Sequence, residues 1–114
     1  MLIILDTNFI IYCIAHKIDI QSSINDAIDI NFKLAIVDST LDELTKLGDK
    51  LALKISKTFL EIKTKKDKIV DDLILDLVDK NTMVATNDLE FRKKLKAKGI
   101  RTLVVRQKKY IKEI

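Results

Sequence analysis

The stretch MLIILDTNFIIYC (residues 1–13) holds an apolar run, Leu2 to Leu5, that stops at Asp6-Thr7-Asn8 before a second apolar run begins. A short continuous apolar run with β-branched residues predicts a buried strand. The residues that follow predict a helix from Thr7 to His16. Because a buried carboxylate is costly unless it is paired or bound to a metal ion, two interpretations of Asp6 stand: a helix cap, or a carboxylate held at a strand end for chemistry.

Segments typical of strands and of helices alternate along the rest of the chain. The predicted strands are 2–5, 32–37, 58–64, 82–85 and 102–105. The predicted helices are 7–16, 22–29, 39–47, 51–56, 69–79 and 88–98. Such alternation implies a parallel sheet covered on both faces. We therefore expect an α/β fold, a three-layer αβα sandwich around a mostly parallel sheet of four to five strands, with Tyr110 and Ile111 folding back onto the body.

The bulk composition predicts one globular domain over residues 1–114. The 114 residues are 47% hydrophobic and 33% charged, with no proline and two glycines, so the chain can bury a core and offers no linker. The single cysteine, Cys13, excludes an internal disulfide and a zinc-ligand set, and we expect it in the core. No signal peptide and no membrane span is evident, which favours a cytoplasmic protein.

Positive charge is concentrated in the C-terminal segment, residues 91–114. It holds ten Lys and Arg residues and one acid, whereas the other 90 residues hold 11 basic and 16 acidic ones. An acidic body with a basic segment is the pattern expected when one part of a protein grips a polyanion. The alternative is a solvated, lysine-rich helix face.

Four acids from distant parts of the chain are candidates for a common site. Asp6 and Asp88 directly follow predicted strands, while Glu43 and Asp72 lie early in predicted helices. Ligands of parallel sheets bind beyond the carboxyl ends of the strands, so all four can converge on one edge. Clustered carboxylates repel one another unless a cation lies between them, and oxygen ligands favour Mg²⁺ or Mn²⁺.

Each of these acids also has a purely structural interpretation. Asp6 and Asp88 can cap helices, and Glu43 fits a capping box with Thr40. Asp72 can belong to a solvated helix face. The sequence alone leaves these alternatives open, although four acids on one edge beside a basic segment favour a site.

Four segments, in order, resemble the PIN-domain nucleases over essentially the whole chain. They are ILDTNFII, VDSTLDELTKL, DDLILDLV and VATNDLEFRKKLKAKGIRTLVVRQKKYI. The K-Y ending and the ADD-like DDLI are most similar to the branch that processes small-subunit ribosomal RNA, in a compact archaeal-type form. VapC-type toxins share the opening and the fold.

The resemblance implies a set of site residues. The catalytic residues and metal ligands are Asp6, Glu43, Asp72 and Asp88; the supporting residues are Asn8, Thr86 and Asp71; and the RNA-binding residues are Arg92, Lys93, Lys96, Lys108 and Lys109. Of the adjacent pair Asp71 and Asp72, only one is expected to hold the ion, and Asp72 is preferred. Asp42 is a weaker rival to Glu43. Asp38 departs from the family pattern and adds a negative charge near the site.

The resemblance further implies a Mg²⁺- or Mn²⁺-dependent endoribonuclease that leaves 5′-phosphate and 3′-hydroxyl ends, with a role in rRNA processing. Its partners would be RNA, such as rRNA or tRNA, a second copy in a homodimer, and an antitoxin-like protein if the chain is a VapC-type toxin. Two other classes remain as alternatives. One is a non-cleaving RNA-binding or assembly module. The other is a phosphate-receiver domain, which the Asp-Thr-Asn ending of the first strand disfavours.

Overall fold

The computed structural model describes all 114 residues, with six strands and six helices. In chain order the elements are β1 (Leu2–Leu5), α1 (Thr7–Ala15), α2 (Ile20–Ala27), β2 (Lys33–Val37), α3 (Asp38–Leu47), α4 (Lys50–Ser56), β3 (Leu60–Ile62), α5 (Val70–Leu77), β4 (Thr82–Ala85), α6 (Leu89–Ala97), β5 (Arg101–Arg106) and β6 (Tyr110–Glu113). None of the helices is both long and apolar enough to cross a membrane.

The strands form one sheet in the order β3-β2-β1-β4-β5-β6. The first five are parallel, and β6 runs antiparallel to β5. The predicted mostly parallel sheet with helices on both faces is confirmed, but it has six strands, one more than expected. The extra strand forms because the basic tail turns after Arg106 and pairs with β5. The predicted folding back of Tyr110 and Ile111 onto the body is confirmed, because both residues pair with β5. Ile111 is buried, whereas 43% of Tyr110 is exposed.

Strand β1 lies at the centre of the sheet and is buried on both faces. Ile3 and Leu5 belong to a core cluster that includes residues of α1 to α4, whereas Ile4 belongs to the cluster under α5 and α6. Successive side chains of a strand point to opposite faces, so a central strand needs apolar residues throughout. This explains the uninterrupted run LIIL. Cys13 is buried in the first cluster, as predicted.

Two element boundaries differ from the sequence predictions in ways that matter for the site. Helix α3 begins at Asp38 and ends at Gly48, whose φ of 71° is the left-handed conformation that glycine adopts at little cost. Strand β3 is shorter than the predicted 58–64, because the amides of Thr58 and Phe59 bond back to the last turn of α4. The carboxyl ends of β1, β2 and β4 meet at one edge of the sheet, and the candidate acids follow them.

Candidate active site

Asp6 occupies the buried end of β1 and does not act as a side-chain cap. It lies at the N-cap position of α1, but its carboxylate makes no capping hydrogen bond. Instead, Thr86 Oγ1 donates to Asp6 Oδ2 at 2.8 Å, and only 3% of Asp6 is exposed. The helix-cap interpretation of Asp6 is therefore wrong, and the interpretation as a carboxylate held at a strand end fits the geometry.

The surroundings of Asp6 oppose its negative charge. Burial raises the pKa of Asp6 to about 6, with the hydrogen bond from Thr86 acting in the opposite direction. The negative charges of Asp71 and Asp88 raise it further. Asp6 forms no ion pair with a cationic side chain. Asp6 is thus a buried carboxylate whose charge is disfavoured both by burial and by two other carboxylates.

Thr86 connects Asp6 with Asp88. Its hydroxyl donates to Asp6 and accepts the backbone N–H of Asp88 at 3.1 Å. Its own backbone N–H donates to the carbonyl of Leu103, which fixes the residue between β4 and β5. The predicted supporting role of the Thr86 hydroxyl therefore has a direct geometric basis: one buried hydroxyl orients two acids from opposite ends of the chain.

Asp6, Glu43, Asp71 and Asp88 are together called the acidic cluster. Asp88 has a structural role in addition to its place in this cluster. It is the N-cap of α6, where its Oδ1 accepts the backbone N–H of Phe91 at 3.1 Å. The capping interpretation of Asp88 is confirmed. A cap uses only one carboxylate oxygen, however. Asp88 is exposed, and its negative charge acts on both Asp6 and Asp71.

Asp71, rather than Asp72, faces the other acids. Burial raises the pKa of Asp71, and the charges of Asp88, Asp72 and Glu43 raise it further, partly offset by Lys94. Asp72 instead acts on Lys68, whose ammonium is paired with Asp76 on the outer face of α5. Of the adjacent pair, Asp71 is thus the acid whose charge acts on Asp6, whereas the resemblance suggested Asp72.

Glu43 reaches the site through a pair of threonines that the sequence analysis missed. Thr7 Oγ1 donates to Glu43 Oε1 at 3.0 Å, and the same hydroxyl lies 3.0 Å from Thr40 Oγ1. The capping box of Thr40 and Glu43 is wrong, because α3 already begins at Asp38 and Thr40 lies inside it. Thr7 was recognisable as the middle residue of the polar triplet DTN, between the buried acid and the helix.

Two further predicted residues, Asn8 and Asp42, lie outside this acidic cluster. Asn8 is exposed, and the hydroxyl of Thr86, not Asn8, orients Asp6. Asp42 is exposed and forms an ion pair with Lys66 at 2.7 Å, which leaves Glu43 as the acid of α3 that contacts Thr7.

Asp38 is buried, and its carboxylate has a structural role. It accepts hydrogen bonds from the backbone N–H and Oγ1 of Thr64 at 2.9 and 2.6 Å, and from the backbone N–H of Ser39 at 2.9 Å. Burial raises the pKa of Asp38, but these hydrogen bonds outweigh it and hold the pKa below the ordinary value. Asp38 therefore ties the segment after β3 to the start of α3.

The acids supply the ligand chemistry of a divalent cation, although they are not drawn together around one. No three acidic, histidine or cysteine side chains lie close enough to one another to hold an ion as they stand. All the donors are carboxylates, which are the ligands that Mg²⁺ and Mn²⁺ prefer. Mutual repulsion without a counter-charge favours separated side chains, and the elevated pKa of Asp6 reports this repulsion together with burial.

The sequence matches the model of a family described as PIN like domain over residues 3–108. This is nearly the whole chain, and it includes every residue of the acidic cluster. The chain belongs to the PIN-like domain family. The fold predicted for such a domain, with its central parallel sheet, is the fold observed.

Individual relatives of this PIN domain agree with the assignment. Ribonuclease VapC4 of Methanocaldococcus jannaschii is 35% identical over 125 residues, covering 95% of this chain and 92% of that protein. The rRNA-processing protein fcf1 of Schizosaccharomyces pombe is 35% identical over 111 residues, covering 90% of this chain but only 58% of that protein. The solved structure of the PIN domain endonuclease Utp24 superposes with a TM-score of 0.88 at 32% identity, covering 98% of this chain and 90% of that one.

The basic residues predicted to bind RNA lie on two elements of the PIN domain. Arg92, Lys93 and Lys96 follow Asp88 along α6, and Lys108 and Lys109 lie in the turn between β5 and β6. That turn follows the carboxyl end of β5, so it projects from the same edge of the sheet as Asp6. The three residues of α6 line a groove with Thr102, at the amino end of β5.

Proposed function

We propose that this PIN domain is a metal-dependent endoribonuclease that hydrolyses RNA phosphodiester bonds. The observation that carries the proposal is Asp6, a carboxylate buried at the end of the central strand and surrounded by acids without a cation. The names of two similar proteins, ribonuclease VapC4 and endonuclease Utp24, describe nucleases. A buried acid of this kind is stabilised when a divalent cation binds to it.

The proposed ligands of a Mg²⁺ or Mn²⁺ ion are Asp6, Asp71 and Asp88, with Glu43 completing the set. Asp71 replaces Asp72 because its charge acts on Asp6 and is acted on by Asp88 and Glu43. Rotation of side chains on fixed backbone positions would bring the carboxylates together. When bound, a divalent cation supplies Lewis-acid chemistry, which makes a water molecule more acidic and stabilises charge on a phosphoryl group.

The chain's own residues would position the substrate and the ligands. Thr86 holds Asp6 and the backbone of Asp88 in register, and Thr7 holds Glu43. Arg92 and the lysines of α6 and of the β5–β6 turn would bind backbone phosphates. Phosphate contacts fix register and orientation but read no base sequence. Cleavage would therefore depend strongly on salt concentration.

The test is cleavage of a labelled RNA in Mn²⁺ by the wild type, Asp6→Asn and Asp88→Asn. Asparagine retains an oxygen that can accept from Thr86 at position 6 and can still cap α6 at position 88, so both variants should fold. We expect at least a hundredfold loss of cleavage in each. Asp26→Asn, which removes an exposed acid of α2, is the matched control and should cleave like the wild type.

Equal cleavage by the wild type and both site variants would exclude the nuclease. RNA binding without any cleavage by the wild type would favour the non-cleaving RNA-binding module.

The RNA target is the finer part of the proposal. The basic α6 and β5–β6 turn support rRNA processing, as in the name of fcf1, whereas the equal identity to VapC4 supports a toxin with an antitoxin-like partner. Expression of the wild type and Asp6→Asn in cells distinguishes a toxin from a processing enzyme. A toxin arrests growth only in the active form, and coexpression with its antitoxin relieves the arrest. A processing enzyme, when depleted, leaves uncleaved precursor rRNA.

A further inference from the structure

The side chain of Asn87 extends the hydrogen bonding between β4 and β5 past the last residue of β4. Its Oδ1 accepts the backbone N–H of Val105 at 2.8 Å. Strand β4 ends at Ala85, which pairs with Leu103 of β5. Asn87 itself is half-buried and lies between the end of β4 and the start of α6. The contact therefore joins this connecting segment to β5, the strand that leads into the β5–β6 turn.

The main-chain register shows what this contact replaces. The backbone N–H of Thr86 donates to the carbonyl of Leu103 at 3.0 Å, as in a regular parallel ladder. Hydrogen bonds in such a ladder are evenly spaced, so the next one would run from the N–H of Val105 to the carbonyl of Thr86. The side-chain oxygen of Asn87 takes the place of that carbonyl. The chain can therefore leave the sheet after Thr86 while the half-buried N–H of Val105 keeps an acceptor.

Leaving the sheet at this point brings the backbone of Asp88 to the hydroxyl that also holds Asp6. The N–H of Asp88 donates to Thr86 Oγ1, which in turn donates to Asp6 Oδ2 at 2.8 Å. A hydrogen bond from an N–H to the hydroxyl two residues earlier belongs to a turn, and a strand that continued through Asn87 would not form it. Asn87 thus secures this turn on the side of β5, whereas Thr86 secures it on the side of β1.

We propose that Asn87 is a positioning residue of the active site, which holds Asp88 where it can share a divalent cation with Asp6. The proposal rests on the proposed metal-dependent nuclease. Groups that orient a metal ligand from behind matter almost as much as the ligand, and their loss typically lowers metal affinity or activity about 10- to 100-fold. The same contact attaches Asp88 to β5, whose carboxyl end leads to Lys108 and Lys109. One hydrogen bond thus fixes the acidic cluster relative to the basic β5–β6 turn.

The experiment measures Mn²⁺ binding to the metal-free protein by titration calorimetry, together with cleavage of a labelled RNA. Asn87→Ala removes the acceptor and should raise the Kd for Mn²⁺ about tenfold and slow cleavage at a fixed Mn²⁺ concentration. Asn87→Asp keeps an oxygen that can accept the N–H of Val105, so it should recover both properties. Binding of the same RNA in EDTA should be nearly equal for all three proteins, whereas a general loss of folded structure would lower RNA binding as well.

Asn81→Ala is the matched control, since it removes an exposed carboxamide just before β4, at the opposite end of the same strand. It should bind Mn²⁺ and cleave RNA like the wild type. Equal Kd values for Asn87→Ala and Asn81→Ala would overturn the proposal. Equally weak Mn²⁺ binding by Asn87→Asp and Asn87→Ala would also overturn it, because an acceptor at position 87 would then not be what holds the site.

Hydrogen exchange of the wild type gives a second test, which does not require the alanine variant to fold. Coupling between two sites is reciprocal, so an ion bound by Asp88 should stabilise the contact between Asn87 and Val105. Exchange of the Val105 amide, followed by NMR, should therefore become slower when diamagnetic Mg²⁺ is added. The Lys33 amide, which donates to the carbonyl of Met1 at the other edge of the sheet, should exchange at the same rate. An unchanged rate at Val105 would contradict the proposal.

The wild type separates this inference from the nuclease itself. Mn²⁺-dependent cleavage that is insensitive to Asn87→Ala refutes the positioning role and leaves the nuclease intact. A wild type that neither binds Mn²⁺ nor cleaves RNA refutes the nuclease, and the role of Asn87 with it.

Discussion

The substitution Asp6→Asn should stabilise the metal-free protein at neutral pH, although it should abolish activity. The side chains have the same shape, and an asparagine oxygen can accept the hydrogen bond that Thr86 donates at 2.8 Å. What changes is the charge, which burial and the neighbouring acids Asp71 and Asp88 disfavour. Residues selected for chemistry often carry such a cost in stability.

The size of the effect follows from the pKa of Asp6, about 6 in the folded protein against an ordinary 3.8. A pKa unit corresponds to about 1.4 kcal/mol, so ionised Asp6 destabilises the fold by about 3 kcal/mol. Below about pH 4 the carboxyl is protonated in both states and the cost is absent. Between pH 4 and 6 only the unfolded chain has lost the proton, so stability falls by about 1.4 kcal/mol per pH unit.

Urea unfolding in EDTA between pH 4 and 8 measures this contribution. We expect the difference in unfolding free energy between Asp6→Asn and the wild type to be small at pH 4 and to reach about 3 kcal/mol above pH 6. Asp26→Asn, an exposed acid of α2, should give a curve parallel to that of the wild type. A pH-independent difference for Asp6→Asn would refute the account of Asp6 as a buried, repelled carboxylate.

Adding Mn²⁺ should reverse the order of stability, because an ion that binds only the folded state stabilises it by an amount that grows with the logarithm of its concentration over Kd. The wild type should gain melting temperature with Mn²⁺, and Asp6→Asn should gain much less. Equal shifts would show that Asp6 is not a ligand.

Three further predictions concern Asp71, Thr86 and Asp38. In a single-turnover RNA cleavage assay with Mn²⁺, Asp71→Asn should reduce the rate at least tenfold and Asp72→Asn less than twofold; equal rates would contradict the assignment. Thr86→Val should lower the unfolding free energy in urea by about 1–3 kcal/mol, and an unchanged value would show that its two hydrogen bonds are not needed. Because its pKa is lowered by folding, Asp38 stabilises the protein at pH values above its pKa in the unfolded chain. This stabilisation is lost as the pH falls through its pKa in the folded protein. The destabilisation caused by Asp38→Asn should accordingly become smaller from pH 7 to pH 3. A difference in urea midpoint between this variant and the wild type that stays constant over this range would contradict the prediction.

The fold was largely predictable from the sequence because its strands are buried on both faces. A run such as LIIL must be apolar at every position, so it stands out without any knowledge of its neighbours. The sixth strand was not predictable in the same way. In RQKKYIKEI only Ile111 is apolar and buried, since an edge strand packs on one face and exposes the other. Such a segment differs little from a solvated tail until its pairing with β5 is known.

Hydrogen bonds between distant segments explain which features of the candidate site the sequence could indicate and which it could not. Asp6 was identified because a carboxylate inside an apolar run demands a reason. Glu43 was ambiguous because T-x-x-E also describes a cap, and only the contact with Thr7, 36 residues away, decides between the two. The structural role of Asp38 was not predicted for a similar reason. Its hydrogen-bond partner, Thr64, is 26 residues distant, and no local sequence pattern connects the two.

Asp71 and Asp72 differ in helical phase, which the sequence contains but the motif resemblance does not use. The buried residues Val70, Leu73 and Ile74 define the inner face of α5. At about 100° per residue, Asp71 lies about 100° from Val70 and about 60° from Ile74, at the margin of that face. Asp72 lies about 200° from Val70, on the opposite side with Asp76. A motif alignment fixes position along the helix axis, whereas access to Asp6 depends on rotation about it. Helical phase is therefore the physical criterion by which adjacent acids should be distinguished.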